Sequence, residues 1–306
     1  MIRLAIKGIG IFLFTLILSF SSYYFLKLYQ AKKLYSSLGP TPSSIIEENL
    51  TFRDLNKNGR LDMYEDHREP IDRRVEDLLN QMTIKEKIGQ MFITMIGMGR
   101  SGGHLDVPPI MVDVFDDPLL EFGLYFSLET NAEMIVNRKM SHFNILQAYT
   151  PEAIAKFNNN LQRKAERTRL GIPVTIATDP RHGAREDEKG VGGIYTSSFS
   201  RWPTSLGLAA TRDSTLVREF GEIAREEYKA CGIRLALHPM ADLATEPRWA
   251  RINGTFGEDA ELSAAMTYSY IKGFQGDTLS SKSVITMVKH FSGGGPQKDG
   301  EDAHFP

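Results

Sequence analysis

The chain opens on an uncharged apolar run, residues 8–26 (GIGIFLFTLILSFSSYYFL), preceded by Arg3 and Lys7 and followed by Lys27, Lys32 and Lys33. Two readings fit it. A secretory signal would use Gly8 to Leu18 as its apolar core and small residues at Ser19 and Ser21 for cleavage. An uncleaved anchor would use all 19 residues, near the ~20 that span hydrocarbon, with Tyr23 and Tyr24 at the interface. The anchor is the preferred reading, and both export the remainder of the chain, to a membrane-anchored, extracellular or periplasmic location. No cysteine directly follows the run, which excludes a bacterial lipoprotein. Residues 1–28 are therefore signal or anchor, and the polar stretch 29–50 is expected to be a linker.

Beyond Pro70 the pattern alternates. Val75, Leu78, Leu79 and Met82 recur at helical spacing in Ile71 to Met82. Thr83 and Glu86 form a capping box that opens the next helix. Apolar runs at about 90–96, Leu119 to Leu128, Ile172 to Thr178, Ile233 to Leu237 and Val284 to Val288 predict strands. Helices are predicted between them: from Pro151, capped by Thr150, to about Arg169; from Asp213 to Cys231–Gly232; and from Glu258 to Phe274. Such alternation means α/β, and the long, polar loops after the strands resemble a (β/α)8 barrel more than a doubly wound sheet. About five strands are present, too few to close eight, so the barrel is incomplete.

Composition changes little. The 306 residues are 42% hydrophobic and 24% charged, enough for a real core. A formal net charge of −2 argues against nucleic acid as a partner. No G-x-G-x-x-G follows a strand, so dinucleotide binding has no support. The one cysteine, Cys231, excludes an intrachain disulfide and fits a small buried residue better than a nucleophile.

One motif concerns a metal. Residues 54–65, DLNKNGRLDMYE, match the twelve-residue EF-hand loop. Asp54, Asn56 and Asn58 would supply side-chain oxygens, Arg60 a carbonyl, and Asp62 and Glu65 carboxylates, around a turn at Gly59. A structural Ca2+ is the expected occupant. The competing reading is a solvated Asn/Gly turn before an acidic helix start. No cofactor for catalysis is expected.

Three clusters stand at predicted strand ends. Asp179, in ATDPRHG, follows the strand ending at Thr178. It suits either hydroxyl recognition or an Asx turn. Arg248, Trp249 and Arg251, in EPRWARINGTFGED, suit a sugar face with hydroxyl donors, or a surface salt-bridge loop. Lys289 and His290 leave the last strand ahead of three glycines and an acidic run, Asp299, Glu301 and Asp302.

Together with DLNKNGRLDMYEDHREPIDRRVEDLLNQMTIKEKIGQM and WPTSLGLAATRD, these motifs resemble the amino-terminal domain of glycoside hydrolase family 3, over residues from about 50 to 306. The resemblance implies a barrel over 51–306 and retaining hydrolysis of terminal β-D-glucosyl residues, with a β-glucoside or oligosaccharide as substrate. It assigns glycone-hydroxyl contacts to Asp179, Arg251, Lys289 and His290, and loop roles to Arg181 and His182. The loop after Lys289-His290 departs from the family's N-acetylhexosaminidase branch. The family nucleophile is an Asp in an Asp-Trp-like motif on a later strand, and its acid usually comes from a second domain. Neither is present: Trp202 and Trp249 lie in other motifs. The chain is expected to stop short of the catalytic pair. The alternative is a catalytically inactive, membrane-anchored sugar-binding fragment.

Overall fold

A computed structural model describes residues 2–99, 101–104, 106, 129–145, 150–183, 199–291 and 293–303. The strand expected over Leu119–Leu128 lies outside them. The apolar run is helical and does not end where its polar flank begins. Helix α1 spans Ile2–Ser36 without interruption. So residues 29–36, expected as linker, form its last turns. The rest of that stretch holds β1 (Ser44–Glu47), which pairs in an antiparallel hairpin with β2 (Leu50–Arg53) at its far end. The reason is a periodicity hidden in a polar segment: Ala31, Leu34, Tyr35 and Leu38 recur at i, i+3, i+4 and i+7. The hairpin turns on Glu48 and Asn49, with φ of 50° and 62°, the two positive values that a two-residue turn of this kind needs.

Short helices α2 (Ile71–Gln81) and α3 (Ile84–Gly89) come after the hairpin. Both halves of the capping box at α3 form: the Thr83 hydroxyl accepts from Glu86 N, and the Glu86 carboxylate accepts from Thr83 N. Next come β3 (Ile93–Ile96), a π turn (Glu133–Asn137) and β4 (His142–Ile145). The apolar pattern does not predict β4. It is only four residues long, and its polar positions, His142 and Asn144, alternate with fully buried Phe143 and Ile145. The chain continues through α4 (Pro151–Ala165), β5 (Thr175–Thr178), α5 (Ser205–Ala210), α6 (Ser214–Ala230), β6 (Ile233–Ala236), α7 (Ala260–Gln275) and β7 (Ile285–Thr286). Asp213 caps α6 by accepting from Thr215 N and Leu216 N, and Thr150 and Pro151 open α4.

Strands β3 to β7 form one five-stranded sheet, all parallel and in sequence order. Among the described residues it does not close on itself: β3 and β7 are its outer strands. Helices α4, α6 and α7 cover one face around Phe143, Phe157, Leu161, Ile176, Phe220, Tyr228, Tyr270 and Phe274. Burying each of these aromatic or aliphatic side chains contributes ~1.5–3 kcal/mol. Cys231 lies inside this core, 3% exposed.

Helices α6 and α7 touch backbone to backbone. A Cβ built on Gly273 would stand 2.5 Å from Arg218 O and 2.6 Å from the Gly221 Cα, closer than non-bonded atoms approach. Gly273→Ala is expected to force the helices apart and lower stability by about 1–3 kcal/mol, read from the midpoint of denaturant unfolding. An unchanged midpoint would show that this crossing is not tightly packed.

Candidate functional site

The polar groups gather where the parallel strands end. Asp179 follows β5, Asp242 stands six residues beyond β6, and Lys289 and His290 come just after β7. Backbone pairing past the strand ends fixes their positions: Lys289 N donates to Pro239 O (3.0 Å) and Ala241 N donates to Lys289 O (2.7 Å).

The Lys289 ammonium stands 2.7 Å from Asp179 Oδ1, both side chains more than four-fifths buried. Asn144 Nδ2, from β4, donates to Asp179 Oδ2 at 3.3 Å. The pair spans from β5 across β6 to β7. Each charge fixes the other, and together they offer an acceptor and a donor to a polyhydroxylated ligand.

His290 is held by Asp242. Its Nδ1 lies 2.6 Å from Asp242 Oδ2, its backbone N donates to the same oxygen at 3.1 Å, and Gly294 N donates to Oδ1 at 2.8 Å. The carboxylate is almost wholly buried and fixes Nδ1 as the protonated nitrogen of a half-exposed imidazole. Asp242 is absent from the sequence expectation. Its signal is present all the same: an acidic residue just past a predicted strand, the same criterion that selects Asp179.

Arg251 lies in the β6–α7 connection, with NH1 3.8 Å from Asp302 Oδ2. Trp249 does not provide a sugar face. It is 1% exposed, and its indole N–H donates to Asp302 Oδ2 at 2.7 Å. Arg248 follows the salt-bridge reading, with Nε and NH2 each 2.9 Å from the Glu246 carboxylate. Asp299, 3.6 Å from Arg248, is largely exposed. The loop after β7 thus divides: Asp302 anchors it inward through Trp249, while Asp299 and Glu301 face solvent.

A polar layer lies beneath Asp179. Arg181 is fully buried and joins two strand ends, donating to Thr178 Oγ1 and Ile145 O, each at 2.6 Å. Burial lowers its pKa to about 10, against smaller opposing effects of Tyr228 and Asp179. Tyr228 Oη donates to Asp179 O (3.3 Å) and lies 3.2 Å from His238 Nε2, while Tyr270 Oη is 2.6 Å from His238 Nδ1. Burial, then the nearby Lys289 charge, pushes the His238 pKa far down, so this imidazole is neutral. His182 Nε2 is 3.0 Å from Glu227 Oε2, which also accepts from Ser200 N.

A parallel sheet in sequence order with a charged pair and a carboxylate-held histidine at its strand ends places the chain in the α/β class, with the strand order of a barrel that the described residues do not close. The comparisons make the family specific. The profile described as "Glycosyl hydrolase family 3 N terminal domain" matches residues 83–305, and the chain belongs to that family. It is 48% identical over 255 residues to "Beta-glucosidase C" of Emericella nidulans, covering 82% of this chain and 37% of that protein. It is 44% identical over 263 residues to the "Periplasmic beta-glucosidase/beta-xylosidase" of Dickeya chrysanthemi, covering 85% of this chain and 37% of that one. Among solved structures it resembles a β-glucosidase involved in saponin metabolism from intestinal bacteria, at 27% identity and a TM-score of 0.51, over 75% of this chain and 25% of that one. The chain therefore spans little more than a third of these sequence relatives' length.

Two outcomes are expected from this geometry. Asp242→Ala leaves two backbone N–H groups and an imidazole N–H without their acceptor, and should cost about 2–4 kcal/mol in denaturant unfolding. The His290 nitrogen shifts should move from one tautomer towards a mixture; unchanged shifts would remove the orienting role. Burial raises the Glu227 pKa, but hydrogen bonds from His182 and Ser200 outweigh this and hold it at about 2. Its folded pKa is thus below the unfolded value of about 4.3, so its stabilisation is full above that pH and is lost as pH falls towards 2. Glu227→Gln should flatten this part of the melting-temperature profile between about pH 4.3 and 2; an identical acid slope in the variant would refute it.

Proposed function

We propose that the chain is the glycone-holding part of an exported β-glucosidase that hydrolyses terminal β-D-glucosyl residues with retention. The observation that carries this reading is the Lys289–Asp179 pair, set by family motifs at the ends of parallel strands. Relatives described as β-glucosidases support the substrate class. Asp179 would accept from sugar hydroxyls, while Lys289, His290 and Arg251 would donate. Such contacts tighten as the ring flattens towards an oxocarbenium-like transition state.

Retention also requires a nucleophile and an acid, two carboxyl groups about 5–5.5 Å apart. Around this site the more deeply buried of the described carboxylates are already committed: Asp179 to Lys289, Asp242 to His290 and Gly294, and Asp302 to Trp249 and Arg251, while Asp299 and Glu301 face solvent. Residues 1–306 by themselves would therefore hold a sugar without cleaving it. The catalytic pair would come from the length of the relatives that this chain does not span.

The acidic loop 54–65 is proposed to hold a structural Ca2+. Its backbone has the required turn, with Gly59 at φ 77°. Asp54 accepts from Asn58 N and Gly59 N, each at 3.0 Å, and Glu65 accepts from Leu55 N, Asn56 N and Asp62 N. The Asn56 and Asn58 amides both turn their N–H groups onto Asp62 Oδ2. Rotating them over would present their oxygens instead, completing an all-oxygen donor set with Asp54, Asp62, Glu65 and the Arg60 carbonyl, as a hard cation requires. Among the described residues no three His, Cys, Asp or Glu side chains stand grouped as a ready metal site, so this reading rests on the loop's backbone and donor chemistry. The apolar helix is proposed to be an uncleaved anchor: the most apolar 18-residue window of Ile9–Ser36 has a mean hydropathy of 1.9 and is 0% buried.

Titration of the purified chain with glucose should show binding that Asp179→Ala or Lys289→Ala weakens roughly tenfold or more. An aryl β-glucoside should not turn over. Turnover abolished by Asp299→Ala or Glu301→Ala would overturn the committed-carboxylate argument, and no glucose binding would remove the glycone assignment. For the loop, a chelator should lower the melting temperature of the wild type but not of Glu65→Ala. A wild-type melting point indifferent to chelator would remove the ion.

A further inference from the structure

The apolar helix and the folded domain share one rigid joint. α1 runs unbroken from Ile2 to Ser36. Its last turns are built into the domain: Ala31 is 3% exposed, and Leu34, Tyr35 and Leu38 pack against the main core. Tyr35 Oη donates to Asp106 Oδ1 at 3.3 Å, and that oxygen also accepts from Ala132 N at 2.9 Å. The Tyr35 ring lies 5.5 Å from the His104 ring, centroid to centroid, with the Lys164 ammonium 4.2 Å above it. Two reciprocal bonds close the joint, from Gly39 N to Arg167 O (2.9 Å) and from Arg167 Nε to Gly39 O (2.8 Å). Away from this joint the most apolar window of α1 has no buried residue: Ile9 to Leu18 are exposed, and Phe20, Ser21, Tyr23 and Tyr24 are half-buried.

The length of the intervening helix sets how close the domain lies to the bilayer. From Leu26, the last residue of the uncharged run, to Ala31, the first fully buried residue after it, is about 7.5 Å at the ~1.5 Å rise of a helix. The headgroup layer on one side of a bilayer is about 5–8 Å deep. A helix with no break between the two cannot act as a tether. Lys27, Lys32 and Lys33 fall in this interval or just past it, and no acidic residue occurs between Lys27 and Ile46. We infer that α1 presses the sugar-binding domain against the lipid headgroup layer, so that bilayer and domain move as one body. The basic flank of α1 sits among the phosphates, within reach of snorkelling lysines. A tethered domain would sample every orientation above the membrane; this one keeps one.

The inference rests on the anchor reading, and the experiment separates the two. The full chain, in a Cys231→Ala background with a fluorophore on Tyr268→Cys, an exposed position of α7, is reconstituted into phosphatidylcholine vesicles containing phosphatidylglycerol. Flotation with the vesicles after an alkaline wash reports the anchor. Time-resolved anisotropy of the floated chain reports the joint. The expected result is no nanosecond tumbling of the domain, and its appearance when a Gly/Ser segment is inserted between Gln30 and Ala31. That insertion leaves Ala31, Leu34, Tyr35 and Leu38 in place. Amides of 31–38 should also resist hydrogen exchange in vesicles. A floated chain whose label depolarises as fast as the insertion variant, or whose 31–38 amides exchange freely, would overturn the inference while leaving the anchor intact. A chain that fails to float would sink the anchor itself.

Discussion

Parallel strands that pair in one sheet all end on the same side, so side chains just past those ends converge on one site. That constraint orders this molecule. β5, β6 and β7 run the same way, so Asp179, Asp242, Lys289 and His290 emerge on the same edge of the sheet. The bridge from Met240 to Lys289 extends the β6–β7 pairing past its regular hydrogen bonds and sets the lysine opposite Asp179. Strand register and site geometry are one fact here. A slip of β7 by one residue would exchange the directions of Lys289 and His290 and undo both partnerships.

Below this edge the core is not simply apolar. Arg181, His238 and the His182–Glu227 pair lie within or against the aromatic cluster of Phe199, Phe220, Tyr228, Tyr270 and Phe274. Each is hydrogen-bonded, which offsets part of the cost of removing it from water. The two tyrosines bracketing His238 hold an uncharged imidazole close to Lys289, so the cations at the base of the site are the Lys289 ammonium paired with Asp179 and the Arg181 guanidinium beneath it.

Much of this is legible in the chain. Caps at Thr83, Thr150 and Asp213 are plain because short polar side chains precede apolar periodicity. The strands after 172, 233 and 284 are plain because β-branched and apolar residues dominate each run, with Arg234 the one charged residue among them. β4 is not, because its residues alternate polar and apolar over only four positions. Trp249 misleads for a related reason: a tryptophan between arginines looks like a platform in a linear sequence, whereas its indole is an inward anchor whose acceptor, Asp302, lies 53 residues away. The docked turn of α1 is masked by its composition. Its lysines and serines dominate the count, but they occupy one side of a helix whose other side is apolar.

The joint between Tyr35 and Asp106 bears on where this protein can be cut. Burial raises the Asp106 pKa, and the Tyr35 hydroxyl is one of the groups that lower it again. A version begun at Gly39, the natural choice for someone who sees only an apolar leader and a polar spacer, would strip away the phenol, empty the space beside His104 and leave a carboxyl group facing a void. A version begun at Lys27 would discard the same greasy segment while keeping Ala31, Leu34, Tyr35 and Leu38 as the first element of the domain.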